Sequence, residues 1–247
     1  MRRWTSVYQF EWTPIITFGV RRLNLLEWME KNLEPVAFSD TRDHVGVALL
    51  DKSIRLIVHK SGMILEDAAA SDSGVASLFP AVEGVLEILE PKSLVLRSAS
   101  TAWSFDLGAR DYNDARAQFA RDTSRVASWP FGFRAIDASA LMDLETNDFS
   151  TQVEWGIVSD SELADRARRP EEGRISGNRP GVSSIALHAD PLPPTSLFVD
   201  LSTRTVHSEV IQDTKGIEAS IQFVDTVGSS IATSLMDATL KETGSQK

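Results

Sequence analysis

Trp4, Ser6, Tyr8, Phe10 and Trp12 alternate with Thr5, Val7, Gln9 and Glu11, so a strand over these residues has one face that is almost wholly aromatic. Aromatic residues on one strand face are usually core, covered by a packed layer. At 247 residues the chain is long enough to bury a core, and its balance of 42% hydrophobic and 24% charged residues excludes wholesale disorder. The stripe is therefore read as core, with Trp4 as the member expected to be exposed. The competing reading makes Trp4 and Tyr8 part of a ligand or partner surface, because rigid amphipathic rings carry much of the energy of binding sites.

Beyond Pro14, Leu23, Leu26, Met29 or Glu30, and Leu33 recur at helical spacing. Val45–Leu50 and Ile54–Val58 read as a hairpin around Asp51-Lys52-Ser53, and Ser61-Gly62 turns the chain into a third strand, Met63–Leu65. A capped helix with Val75, Leu78, Val82, Val85 and Leu89 inward follows, bent near Pro80. Ser93–Leu107 reads as a long strand and Asp111–Val126 as an arginine-bearing surface helix. In the second half strands are expected at Phe133–Leu144, Gln152–Val158, Val182–Ala189, Leu197–Leu201 and Thr203–His207, with a short charged helix at Ser161–Arg168. The chain closes on a helical pattern whose apolar positions are Ile217, Ile221, Val224, Gly228, Ile231, Leu235 and Ala238. Its β-branched residues lower intrinsic helicity, so packing must hold it.

"QFEW" at Gln9–Trp12 returns as "QVEW" at Gln152–Trp155. Matches of that size arise by chance on the order of 10 times in a chain of this length, so the order of elements that follows each copy matters more. Each copy precedes a helix, neighbouring strands and an amphipathic helix. The expected architecture is thus α+β, with two lobes related by internal duplication, 1–128 and 129–247. Each lobe is an antiparallel sheet packed on helices, in a helix-grip or saddle-like arrangement, with a long C-terminal helix on the second sheet and a frayed tail at 241–247.

Several chemistries are excluded. Without cysteine there is no disulfide, thiolate metal site or cysteine nucleophile, which fits a reducing cytoplasm. Neither phosphate-cradling glycine motif, nor H-E-x-x-H, nor G-x-S-x-G occurs. No cofactor and no metal is expected, although His188, Asp200 and His207 would make a metal site if a hairpin brought its arms together. A net charge of -10 argues against a footprint on duplex nucleic acid. No apolar stretch reads as a signal core or membrane span, so an intracellular, cytoplasmic protein without membrane contact is expected.

Two features stand out as candidate sites. Glu11 and Glu154 are the carboxylates singled out by the repeat, and two such acids near a pseudo-twofold axis can divide acid and base roles. The stretch 164–181 gathers Arg166, Arg168, Arg169, Arg174 and Arg179 in a glycine- and proline-bearing loop suited to an acidic partner. The preferred function is a non-catalytic binding or protein-interaction module meeting a protein or small ligand, and a homo-oligomer through sheet edges is compatible with it. The alternative is a small-molecule enzyme using carboxylates in a cleft between the lobes.

Overall fold

The structure, a computed structural model, describes residues 1–49, 54–67, 74–108, 110–124, 139–168, 192–207 and 209–244. The protein is α+β. Nine strands form a single antiparallel sheet in the order β2-β3-β4-β5-β1-β6-β9-β8-β7. In chain order they are β1 (Arg2–Glu11), β2 (Ala37–Asp40), β3 (His44–Leu49), β4 (Ile54–His59), β5 (Gly62–Asp67), β6 (Val95–Asp106), β7 (Ser139–Glu145), β8 (Phe149–Ser159) and β9 (Thr195–Thr205). The helices are α1 (Phe18–Asn32), α2 (Phe79–Leu89), α3 (Tyr112–Ser124), α4 (Asp160–Arg168) and α5 (Thr214–Gly244).

The two separate sheets of the sequence reading are therefore one. β1 pairs along its length with β6, and β6 pairs with β9, so the hydrogen-bond ladder runs across the expected boundary at 128/129. "QFEW" begins in β1 while "QVEW" lies in β8, two strands beyond β6.

The aromatic face of β1 is core: Tyr8 and Phe10 are fully buried and Trp12 nearly so, against residues of β4, β5, α1, α2 and α5. Trp4 is a double correction, being 5% exposed and turned to the other side of the sheet. The register of β1 against β6 slips between Arg3 and Thr5, and a residue added by such a bulge reverses the alternation. Trp4 packs with Ala102, Val158, Phe198 and Leu163 of α4, donates from Nε1 to Ser104 Oγ at 2.7 Å, and carries the Arg2 guanidinium 4.4 Å above its ring.

Other boundaries differ for local reasons. Leu25 and Met29 are the buried residues of α1 near its middle, whereas Leu23 is exposed. Pro80 begins α2 instead of bending it, since a proline in the first turn removes an N–H that has no helical acceptor. The Val75, Leu78, Val82, Val85 and Leu89 stripe is buried as expected. The pair of strands expected at Leu197–Leu201 and Thr203–His207 is one continuous strand, because Leu197, Val199, Leu201, Thr203 and Thr205 keep their alternation past Ser202. Backbone helicity continues through 241–244, where a frayed tail was expected. The Asp51-Lys52-Ser53 turn and the strand Val182–Ala189 lie outside the described residues.

α5 spans both halves of the core. Ile217, Ile221 and Val224 join the cluster built on Tyr8 and Phe10, and Ile231, Ala232 and Leu235 join a second cluster around Trp103, Phe105 and Val199. Gly228 sits at the crossing between them, where an added Cβ would lie 3.3 Å from Thr101 Oγ1 and 3.4 Å from Leu201 Cδ1.

Candidate functional site

The loop that leaves β9 turns back so that α5 begins beside the start of β8, and a cleft of about 580 Å³ opens between them. Phe149, the first residue of β8, and Phe223 of α5 stack with ring centroids 5.2 Å apart. Together with Leu96 and Ile211 they give the cleft apolar walls, and Asp148, His207, Glu209 and Asp213 bring polar groups to it. Phe223 is 51% exposed and Val210, another lining residue, 52%. Large apolar side chains left open beside a concavity are the usual mark of a binding surface. Asp213 also starts α5, its Oδ1 accepting from Gly216 N at 2.9 Å.

A second polar group lies deeper. Arg3, Tyr8, Asp67 and Asp225 meet between β1, β5 and α5. Arg3 NH1 donates to Asp225 Oδ2 at 2.9 Å, Arg3 NH2 lies 3.8 Å from the fully buried Asp67, and the Tyr8 hydroxyl donates to Asp225 Oδ1. The Trp4 bulge is what puts Arg3 on this face. Burial, joined by the Asp225 charge, pushes the Tyr8 hydroxyl far above its usual range. Burial also raises the Asp225 carboxyl; Tyr8 and Arg3 oppose it, and the Asp67 charge adds to it. The arrangement fastens α5 to the sheet with charged groups. It lines no part of the cleft.

The residues expected from sequence to carry function do not gather in one place. Trp4 and Tyr8 are both buried. Glu11 is part-exposed at the end of β1, where Arg97 Nε lies 3.9 Å from it and Gln9 Nε2 donates to it at 3.3 Å. Glu154 lies on β8 opposite Asp200, and that row continues through Ala102 to Thr5. Three strand spacings across and six residues along put Glu11 and Glu154 roughly 25 Å apart. Arg166 and Arg168 belong to the backbone of α4, whereas Arg169, Arg174 and Arg179 lie outside the described residues. His188 also lies outside them, and Asp200 and His207 belong to one strand and the turn after it, so no hairpin joins them. Among the described residues no group of three or more His, Asp or Glu side chains could hold a metal ion.

Sequence reasoning passed over the cleft, although one signal was present: Phe223 falls off the Ile217, Ile221, Val224 stripe and so had to lie on the outer side of α5. Asp225, next to Val224, was hidden within the apolar stripe.

No family model matches the chain, and no curated protein matches it. Among solved structures it is similar to a rolling circle replication initiator protein from Geobacillus stearothermophilus, at 9% identity over 83% of this chain and 75% of that one, with a TM-score of 0.32. No helix among the described residues is long and apolar enough to cross a membrane.

Proposed function

We propose that the chain is a non-catalytic binding or protein-interaction module whose partner seats in the cleft at the head of α5. The observation that carries this is the Phe149–Phe223 stack, whose Phe223 ring is half exposed at a concavity of about 580 Å³. An aromatic pair that is already ordered loses little conformational freedom on binding, which favours its use as an anchor. The alternative, a small-molecule enzyme on Glu11 and Glu154, lacks the convergence that shared acid–base chemistry needs. Native mass spectrometry of the protein gently isolated from its own cells tests the proposal. A stoichiometric partner is expected on the wild type and lost from Phe223→Glu at unchanged melting temperature; a partner retained by that variant refutes the cleft.

We also infer that the fold arose by duplication, in a register different from that of the "QFEW" match. β1 and β6 are antiparallel neighbours at the middle of the sheet. Each is followed by a helix (α1, α3), by strands that step back from an edge toward it (β2 to β5, β7 to β9), and by a closing helix (α2, α5). α4 is then an insertion between β8 and β9. The joint falls just before β6. Co-expression of 1–91 and 92–247 as two chains should give one co-purifying species; failure to associate would count against two units joined through β1 and β6. The lack of cysteine supports a cytoplasmic setting for such a protein.

A further inference from the structure

Resting on the reading of the cleft as the binding site, we infer that its ligand is a basic peptide segment carrying a bulky apolar side chain. Three carboxylates, Asp148, Glu209 and Asp213, line the cleft, and among the described residues no lysine or arginine does. The helix end alone would favour an anion, because the first N–H groups of α5 carry partial positive charge. That preference is answered from within, since Asp213 takes the Gly216 N–H through its side chain and the Ile217 N–H through its carbonyl. Asp148 and Glu209 are different. Their carboxylates form no ion pair and accept no hydrogen bond among the described residues.

Two uncommitted carboxylates beside the half-exposed Phe223 match one kind of guest. An ammonium or guanidinium gains from the carboxylates and from the half-exposed ring of Phe223, since both attract cations. The apolar walls take the hydrophobic side chain next to it. An acidic guest would be repelled by the carboxylates of this rim, and a purely apolar one would leave Asp148 and Glu209 partly desolvated without a partner.

The test uses three fluorescein-labelled nine-residue peptides in which leucine alternates with lysine, glutamine or glutamate, followed by fluorescence anisotropy with the full chain. The lysine peptide should bind best and the glutamate peptide not at all. Asp148→Asn/Glu209→Gln should weaken the lysine peptide by about tenfold. Glu27→Gln/Glu30→Gln on the exposed side of α1 changes net charge by the same amount and should leave it within about twofold. Equal weakening by the two double variants would mean that net charge alone drives binding, and it overturns the inference. If the glutamine peptide binds as well as the lysine peptide and only Phe223→Ala weakens both, the cationic class falls while the cleft stands. If Phe223→Ala affects no peptide, the cleft and the inference fall together.

Discussion

Tyr8 on β1 donates its hydroxyl hydrogen bond to Asp225 on α5, 217 residues further along the chain. It is a charge-assisted bond from a buried hydroxyl to a part-buried carboxylate, and it ties the first strand to the last helix while fixing the rotation of α5 about its own axis. Tyr8→Phe keeps the ring and removes the bond, leaving Asp225 in the same surroundings with Arg3 as its remaining donor. The expected loss is about 1.5–3 kcal/mol, read as a lower urea midpoint at unchanged slope. A loss under about 0.5 kcal/mol would mean that the bond adds nothing to the packing of the ring.

The same substitution has a signature in alkali. The folded state holds the Tyr8 proton more tightly than the unfolded chain, whose tyrosine titrates at 10.0. The stability this provides is complete below that pH and is lost as pH rises toward the higher folded value. Denaturation curves between neutral pH and pH 11 should therefore fall more steeply for the wild type than for Tyr8→Phe. Parallel curves would refute the assignment.

Arg55 and Glu66 form an ion pair across β4 and β5 at 2.6 Å, with 9% and 10% of their side chains exposed. The approach is close, yet Arg55 Nε and NH2 are not aligned as hydrogen-bond donors, so the pair is held mainly by charge. Glu66→Ala strands the guanidinium and should cost about 3–5 kcal/mol, whereas Arg55→Met/Glu66→Leu should cost far less or nothing. Chemical denaturation of the single and double variants decides it, and a double variant as damaged as the single one would contradict the argument.

Gly84→Ala should destabilise by about 1–3 kcal/mol although alanine is the better helix former. A Cβ there would meet three carbons of the Trp28 ring at 2.6 Å, where α2 crosses α1. A higher melting temperature for this variant would show that Trp28 moves aside freely.

His59, opposite His44 on β3, is held below its ordinary 6.5 by burial first, then by the charges of His44 and Lys60. A group whose folded pKa is depressed gives stability above its unfolded value and withdraws it as pH falls through the folded one. Wild-type stability should therefore decline as pH drops below about 6.5, with a shallower decline in His59→Gln. Urea midpoints measured from pH 7.5 to 5 test this, and identical slopes would dismiss His59 as the group concerned.

What was legible in the sequence was local alternation. β1, α2, β6 and α5 follow from residues within one element, and their inward positions were readable because period 2 and period 3.6 differ so sharply. What escaped depended on partners. The bulge that turns Trp4 over exists only in the register of β1 against β6, and the merging of two sheets into one depends on that same pairing. Glu11 and Glu154 looked equivalent because neighbouring letters matched, but strand order set them on different strands with β6 and β9 between. The cleft was out of reach because Phe149 and Phe223 belong to separate elements, each unremarkable alone.

α5 lays Ile217 to Val224 on one core cluster and Ile231 to Leu235 on the other. Neither cluster is complete without it, and the helix comes after β9 in the chain. The half of the sheet made first must therefore wait, with Tyr8 and Phe10 lacking their final cover, until β9 and the helix after it have been made. One helix therefore puts the last cover on both cores.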